Sequence, residues 1–283
     1  MTDSSIHFCG QSLPAIGQGT WYMGENSARR QLEVAALRAG IDSGLTLIDT
    51  AEMYAEGGAE QVVGEAIRGQ RDKVFLVSKV YPWNAGGRQM VSACEGSLRR
   101  LGTEVIDLYL LHWRGDFTLA ETVEAMQALV AQGKIRRWGV SNLDIDDMHE
   151  LWQIDGGRDC AANQVLYHLA SRGIEHSLLP WCQSQRIPVM AYCPLAQAGR
   201  LRSGLLAHPQ VQAVANAHGV TPAQVLLAWV IQHQGVMAIP KAATIAHVEE
   251  NAAALQLRLT AEDLTSLERA FPAPGRQVAL DMV

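Results

Sequence analysis

What most constrains this chain is an alternation. Eight short apolar runs recur along its 283 residues, "PAIGQGT", "LTLIDT", "KVFLVSK", "VIDLYLLH", "KIRRWGVSN", "CAANQVLY", "IPVMAYCPL" and "GVMAIPK", with helical periodicity between them. Over residues 27–40, Leu32, Ala35, Ala36 and Ala39 fall on one face at helical spacing. Thr118 and Glu121 form a capping box for a helix whose stripe is Val123, Met126 and Val130 and whose stop is Gly133. Strands that alternate with helices argue for a parallel sheet, because each parallel connection needs a crossover. No Pro/Ser-rich linker divides the eight strand candidates, so the chain is expected to form an α/β fold, one (β/α)8 TIM barrel, as a single domain over residues 1–283.

Three segments stand outside the cycle. "IHFCGQSLP" predicts an N-terminal β-hairpin turning at Gly10-Gln11 and plugging the bottom of the barrel. "CPLAQAGRLRSGLLAHP" shows no helical pattern and is expected to be a long loop, a length usually functional or disordered. The C-terminal tail from Phe271 to Val283 is expected to cover one barrel end.

Totals exclude several classes. A hydrophobic content of 48% supports a large core, yet no run approaches the roughly 18 consecutive apolar residues of a membrane span. The first residues lack the basic and apolar regions of a secretory leader. Cys9, Cys94, Cys160, Cys182 and Cys193 are dispersed without a CxxC pair, as reduced thiols would be. A net charge of −6 gives no basic footprint for nucleic acid. His112, His149, His168 and His176 lie in no ligand spacing, so no metal is expected. The expectation is a cytoplasmic monomer with no membrane or nucleic-acid partner.

Barrel enzymes place their chemistry where strands end. Here the second strand ends in Asp49, the third in Lys79 and the fourth in His112, with Tyr54 just past the second. Singly, Asp49 is a helix cap, Lys79 reaches for solvent and His112 is structural. On three neighbouring strands about 4.8 Å apart they converge, and a buried carboxylate and ammonium are costly unless paired. An ammonium beside a phenol favours tyrosinate and lowers a pKa that is ordinarily about 10, while the carboxylate keeps the lysine charged. Tyr54 is then a general acid for a developing alkoxide, and His112 a hydrogen-bond donor to the same oxygen. The set suits carbonyl reduction with hydride from a cofactor.

"LIDTAEMY", the lysine of "FLVSK" and "DLYLLHW" resemble the signatures of the aldo-keto reductase family, and "GVSN", "NQVLYH", "AYCPL" and "IPKAATIAHVEEN" extend the resemblance over nearly the whole chain. It implies a barrel that binds a nicotinamide cofactor without a Rossmann domain; Gly17 and Gly19 indeed lack the third glycine of that fingerprint. Carried over, Asp49, Tyr54, Lys79 and His112 form a catalytic tetrad. Ser141, Asn142 and Gln164 resemble the groups that hold the carboxamide, and Tyr192 the ring that stacks on nicotinamide. Pro194, Leu195 and Arg200 resemble the clamp over the pyrophosphate, and Lys241, Thr244, His247, Glu250 and Asn251 the reader of the adenosine phosphate. Ala242 replaces a serine there and His247 an arginine. A histidine is only partly charged near neutrality and makes no bidentate contact, so NADPH is expected with a weakened preference and NADH as the lesser alternative. Trp21, Tyr81, Trp83 and Trp113 are expected to wall a cup for small uncharged aldehydes. The chain resembles most closely the bacterial members that reduce methylglyoxal and similar 2-oxoaldehydes.

Two other functions fit a barrel: a Schiff-base aldolase using Lys79, and a cofactor-sensing binding protein with negligible turnover. The first leaves His112, Tyr192 and the "IPKA" segment without a role. The intact tetrad argues against the second.

Overall fold

The computed structural model describes residues 5–8, 10–197 and 199–283. Strands β1 (Ser5–Phe8) and β2 (Gln11–Pro14) pair antiparallel, with Phe8 opposite Gln11. Gln11 is therefore already strand rather than part of the expected Gly10-Gln11 turn. Gly10 takes φ 79°, a left-handed conformation that costs glycine little. Cys9 lies outside the described residues.

Eight parallel strands follow in chain order: β3 (Gln18–Gly19), β4 (Leu47–Asp49), β5 (Phe75–Val80), β6 (Leu108–Leu111), β7 (Trp138–Ser141), β8 (Asn163–Leu166), β9 (Val189–Tyr192) and β10 (Val236–Ala238). Each pairs with its sequence neighbour, and helices cover the crossovers. The two edges of this curled sheet are also joined. Gly17 N–H donates to the Ala238 carbonyl at 2.8 Å and Gly19 N–H to that of Pro240 at 3.0 Å.

The capping box at Thr118 forms in both directions and opens helix Leu119–Ala131. Its buried face runs through Val123, Met126 and Leu129, and Val130 is 39% exposed. A similar shift corrects the first helix, Arg30–Asp42. Val34, Leu37 and Ile41 are buried with Ala36, whereas Leu32 is 63% exposed. The larger side chains, at spacings of three and four, decide which face turns inward.

Apolar residues from the hairpin, Ile6, Phe8 and Leu13, pack with Leu47, Phe75, Leu108 and Met237 on the sheet's inner face. Phe8 and Phe75 meet edge to face with centroids 5.5 Å apart. Phe75 and Leu108 are the first residues of their strands, so the hairpin covers the N-terminal end and leaves the C-terminal end for chemistry. Trp138 and Trp229 are buried between sheet and helices.

The segment expected as a bare loop contains a helix, Arg200–Leu206. Only Leu205 in it is buried and Gly204 lies within it, so no apolar stripe marks it in the sequence. The tail is held to the chain after β8 at two points, Arg172 to the Phe271 carbonyl and Ser171 to Asp281. Among the described residues no single helix is long and apolar enough to cross a membrane.

Candidate active site

The ends of β4, β5 and β6 bring the proposed tetrad together. Lys79 is completely buried, and its ammonium donates to Asp49 Oδ2 at 2.7 Å, the Thr50 carbonyl at 3.0 Å and the Tyr54 hydroxyl at 3.1 Å. All three of its N–H donors are thereby matched to acceptors. Strand alternation explains the placement: Val77 and Lys79 share the inner face, and Ser78 faces the helices. The Tyr54 ring lies edge-on to His112 at 5.7 Å between centroids. Tyr54 opens a short turn in which Ala55 (φ 51°), Glu56 (φ 51°) and Gly57 (φ 88°) are all left-handed. Two of these are not glycine, and such residues cost about 1–3 kcal/mol each and persist only where the surroundings enforce them.

The electrostatics correct one expectation. Burial, and then the Asp49 carboxylate, push the Tyr54 phenol well above its ordinary value, not below it. Lost hydration outweighs an ammonium whose charge Asp49 already offsets. The phenol is therefore protonated at neutral pH, the state a proton donor requires. Its oxygen accepts from Lys79, which leaves its own O–H free for another acceptor. Burial draws Lys79 down, opposed by Asp49. Burial and the Lys79 charge hold His112 well below the usual histidine range, so its ring is neutral. Among the described residues His112 Nδ1 has no hydrogen-bond partner, which leaves Nε2 as the ring's hydrogen-bonding atom.

A polar belt continues from the tetrad around the strand ends. Gln164 Nε2 donates to Asp49 Oδ1 at 2.8 Å, and Ser141 Oγ to the Gln164 carbonyl at 2.9 Å. Asn142 Nδ2 donates to the His112 carbonyl at 3.1 Å, and the Tyr192 hydroxyl to Asn142 Oδ1 at 2.8 Å.

A cavity of about 390 Å³ opens above this belt. Its wall includes Asp49, Tyr54, His112, Ser141, Asn142, Gln164, Tyr192, Pro194, Leu195 and Lys241, together with Trp21 and Trp113. Three placements differ from the sequence expectation. Tyr81 and Trp83 stack on each other at 4.1 Å outside the wall and meet it at the Trp113 ring. Arg200 does not border the cavity, whereas Arg202 does; the helix at Arg200–Leu206 turns the second arginine inward. Thr244, His247, Glu250 and Asn251 lie off the wall, on or capping helix Ile245–Ala253. Thr244 Oγ1 accepts from the His247 N–H at 3.3 Å, and Glu250 accepts from Thr221 at 2.6 Å.

The sequence also gave no sign of Tyr22, Met53, Met282 and Val283 in the wall. Each lies in a turn or in the tail, where periodicity assigns no inward face.

The donor set fits a nicotinamide dinucleotide. The cavity wall offers amide and hydroxyl groups beside an aromatic ring. It also offers Lys241 and Arg202, neither of which makes an ion pair among the described residues. An amide-bearing ring and phosphates match those two sets of groups.

Known proteins give the same picture. Residues 15–271 match the Aldo/keto reductase family. Methylglyoxal reductase YeaE of Escherichia coli (strain K12) is 68% identical over 284 aligned positions, covering all of both chains. Glyoxal reductase of Bacillus subtilis (strain 168) is 32% identical, over 92% of this chain and 89% of that one. Two crystal structures of aldo/keto reductase from Klebsiella pneumoniae, one with NADP and acetate and one with NADPH, are 66% identical over all of both chains, each with a TM-score of 0.98.

Proposed function

The chain belongs to the aldo/keto reductase family, and from that premise we propose that it reduces small aldehydes and 2-oxoaldehydes, methylglyoxal among them, to alcohols with NADPH. The observation that carries this reading is the Tyr54 hydroxyl, held by the Lys79 ammonium at 3.1 Å in the wall of the cavity.

When bound, the nicotinamide supplies hydride. The chain does the rest. His112 and Tyr54 orient the carbonyl oxygen, and the oxygen's developing charge draws the Tyr54 proton. The phenolate left behind faces the Lys79 ammonium, which Asp49 keeps charged and in place. Tyr192 would be the stacking platform, and Ser141, Asn142 and Gln164 would hold the carboxamide. Gln164 spends its Nε2 on Asp49, so its Oε1 is the atom left for a ligand. Pro194, Leu195 and Arg202 would flank the pyrophosphate, and Lys241 would receive the adenosine phosphate together with Thr244, His247, Glu250 and Asn251 of the helix Ile245–Ala253 and its cap.

The same proposal takes the curled sheet as a closed (β/α)8 barrel and the chain as one domain, a cytoplasmic monomer. The bonds from Gly17 and Gly19 to the chain around β10 support the closure. A Schiff base at Lys79 is disfavoured because its nitrogen offers no free lone pair.

The test is loss of NADPH absorbance with methylglyoxal, comparing wild type with Tyr54→Phe. Turnover should fall by 10²-fold or more, roughly the worth of a positioned acid, with NADPH still bound. A mutant as active as wild type would refute the assignment of the proton donor.

A further inference from the structure

Behind the tetrad lies a second buried carboxylate that the chemistry above does not use. Glu60, on helix Gly58–Ile67, is completely buried. One of its oxygens accepts from Ser78 Oγ at 2.6 Å and the other from Arg100 Nε at 2.6 Å. Ser78 immediately precedes Lys79 on β5. Arg100 comes from the next helix, Gly87–Leu101, and its Nη2 also reaches Ser97 Oγ at 3.3 Å.

The guanidinium stem does one thing more. It lies on the backbone of Gly57, so closely that a Cβ there would be 2.5 Å from both Arg100 Cδ and Nε. Gly57 ends the run of three left-handed residues that begins directly after Tyr54. The two helices touch at backbone level here: a Cβ on Gly64 would lie 2.7 Å from the Arg100 carbonyl oxygen. The pair thus joins the turn that carries Tyr54 to the strand residue beside Lys79, from the face of the sheet opposite the cavity.

We propose that Glu60 and Arg100 are positioning residues for proton transfer, holding the strained Tyr54 turn against β5 so that the phenol stays within reach of the Lys79 ammonium. This inference rests on the reductase function proposed above. Neither side chain borders the cavity, so neither touches substrate. The charge of Glu60 has a supporting effect: burial draws Lys79 down, and Asp49 and then Glu60 oppose it.

Single-turnover oxidation of bound NADPH by methylglyoxal tests this in Arg100→Ala, Arg100→Lys and Glu60→Gln. The expected result is a rate constant about 10- to 100-fold lower in Arg100→Ala and Glu60→Gln, the scale of a small misplacement of a reacting group. NADPH affinity should be unchanged, and the rate should slow more in D2O than wild type does, because proton transfer now limits the step. Arg100→Lys keeps the charge and should fall between. A merely structural pair would lower the melting temperature of all three and leave the rate per cofactor-binding site and its isotope effect at wild-type values; that outcome overturns the inference. Arg100 is partly solvent-exposed, so its variants test the inference even where Glu60→Gln does not fold. A wild type that itself fails to oxidise NADPH would instead sink the functional reading, and this inference with it.

Discussion

Gln164 and Asp49, 115 residues apart in the chain, are hydrogen-bonded at 2.8 Å across the mouth of the sheet. The bond joins the wall proposed for the cofactor to the group that anchors Lys79, so the two halves of the site share one side chain.

That sharing predicts a pH effect. Gln164→Glu sets a second carboxylate against Asp49, and like charges at this distance force one of the pair to keep its proton to a higher pH. Protonated, the new side chain donates as the amide did. Single-turnover reduction in the variant should be slow near neutrality and recover as the pH falls through the raised value. A variant as fast as wild type at every pH would show that the bond carries no coupling.

His112 predicts an absence of pH effect. Its ring is held neutral by burial and by the Lys79 charge, so it stays unprotonated through the range, centred near about pH 6.5, in which an ordinary histidine titrates. The single-turnover rate should show no acid limb attributable to histidine across that window. A limb near pH 6.5 that disappears in His112→Gln would contradict the assignment.

The two arginines of the helix at Arg200–Leu206 should differ. Arg202→Ala should weaken NADPH binding about 10-fold, the loss of one charge-assisted contact. Arg200→Ala should leave it within about twofold. Fluorescence titration of the cofactor decides between them, and the reverse order would restore the assignment suggested by family resemblance.

Stability should carry the mark of His168. It is buried, and that burial, against the opposing Asp281 charge, lowers its pKa to about 4. The unfolded chain, with an ordinary histidine, binds the extra proton first. Its contribution is therefore complete above pH 6.5 and drains away as the pH falls toward about 4, by about 3 kcal/mol in all. Denaturant unfolding of His168→Gln should show a shallower loss over that window than wild type.

How much of this was legible in the sequence follows from where the constraint lies. Strand-end identity is written directly into the chain: Asp49, Lys79 and His112 each close an apolar run, and alternation sends Lys79 inward. The helical faces were legible to within a residue or two, with Leu32 and Val130 misplaced because small alanines mark a face weakly. The direction of the Tyr54 shift was not legible, since it depends on how completely the phenol loses water. Nor were Arg202 and the stacked Tyr81 and Trp83, whose places depend on a one-helix turn and on ring packing that no periodicity records.

The commitment of every Lys79 N–H has a chemical consequence for an enzyme proposed to take up a 2-oxoaldehyde. Such substrates are electrophiles that form adducts with free amines and guanidines. An ammonium with three acceptors and no solvent access offers them no nucleophile. A 2-oxoaldehyde bound in the cavity would thus meet no reactive amine at the lysine proposed to assist Tyr54. The protein's exposure to self-inflicted damage lies instead at Lys241 and Arg202, on the cavity wall.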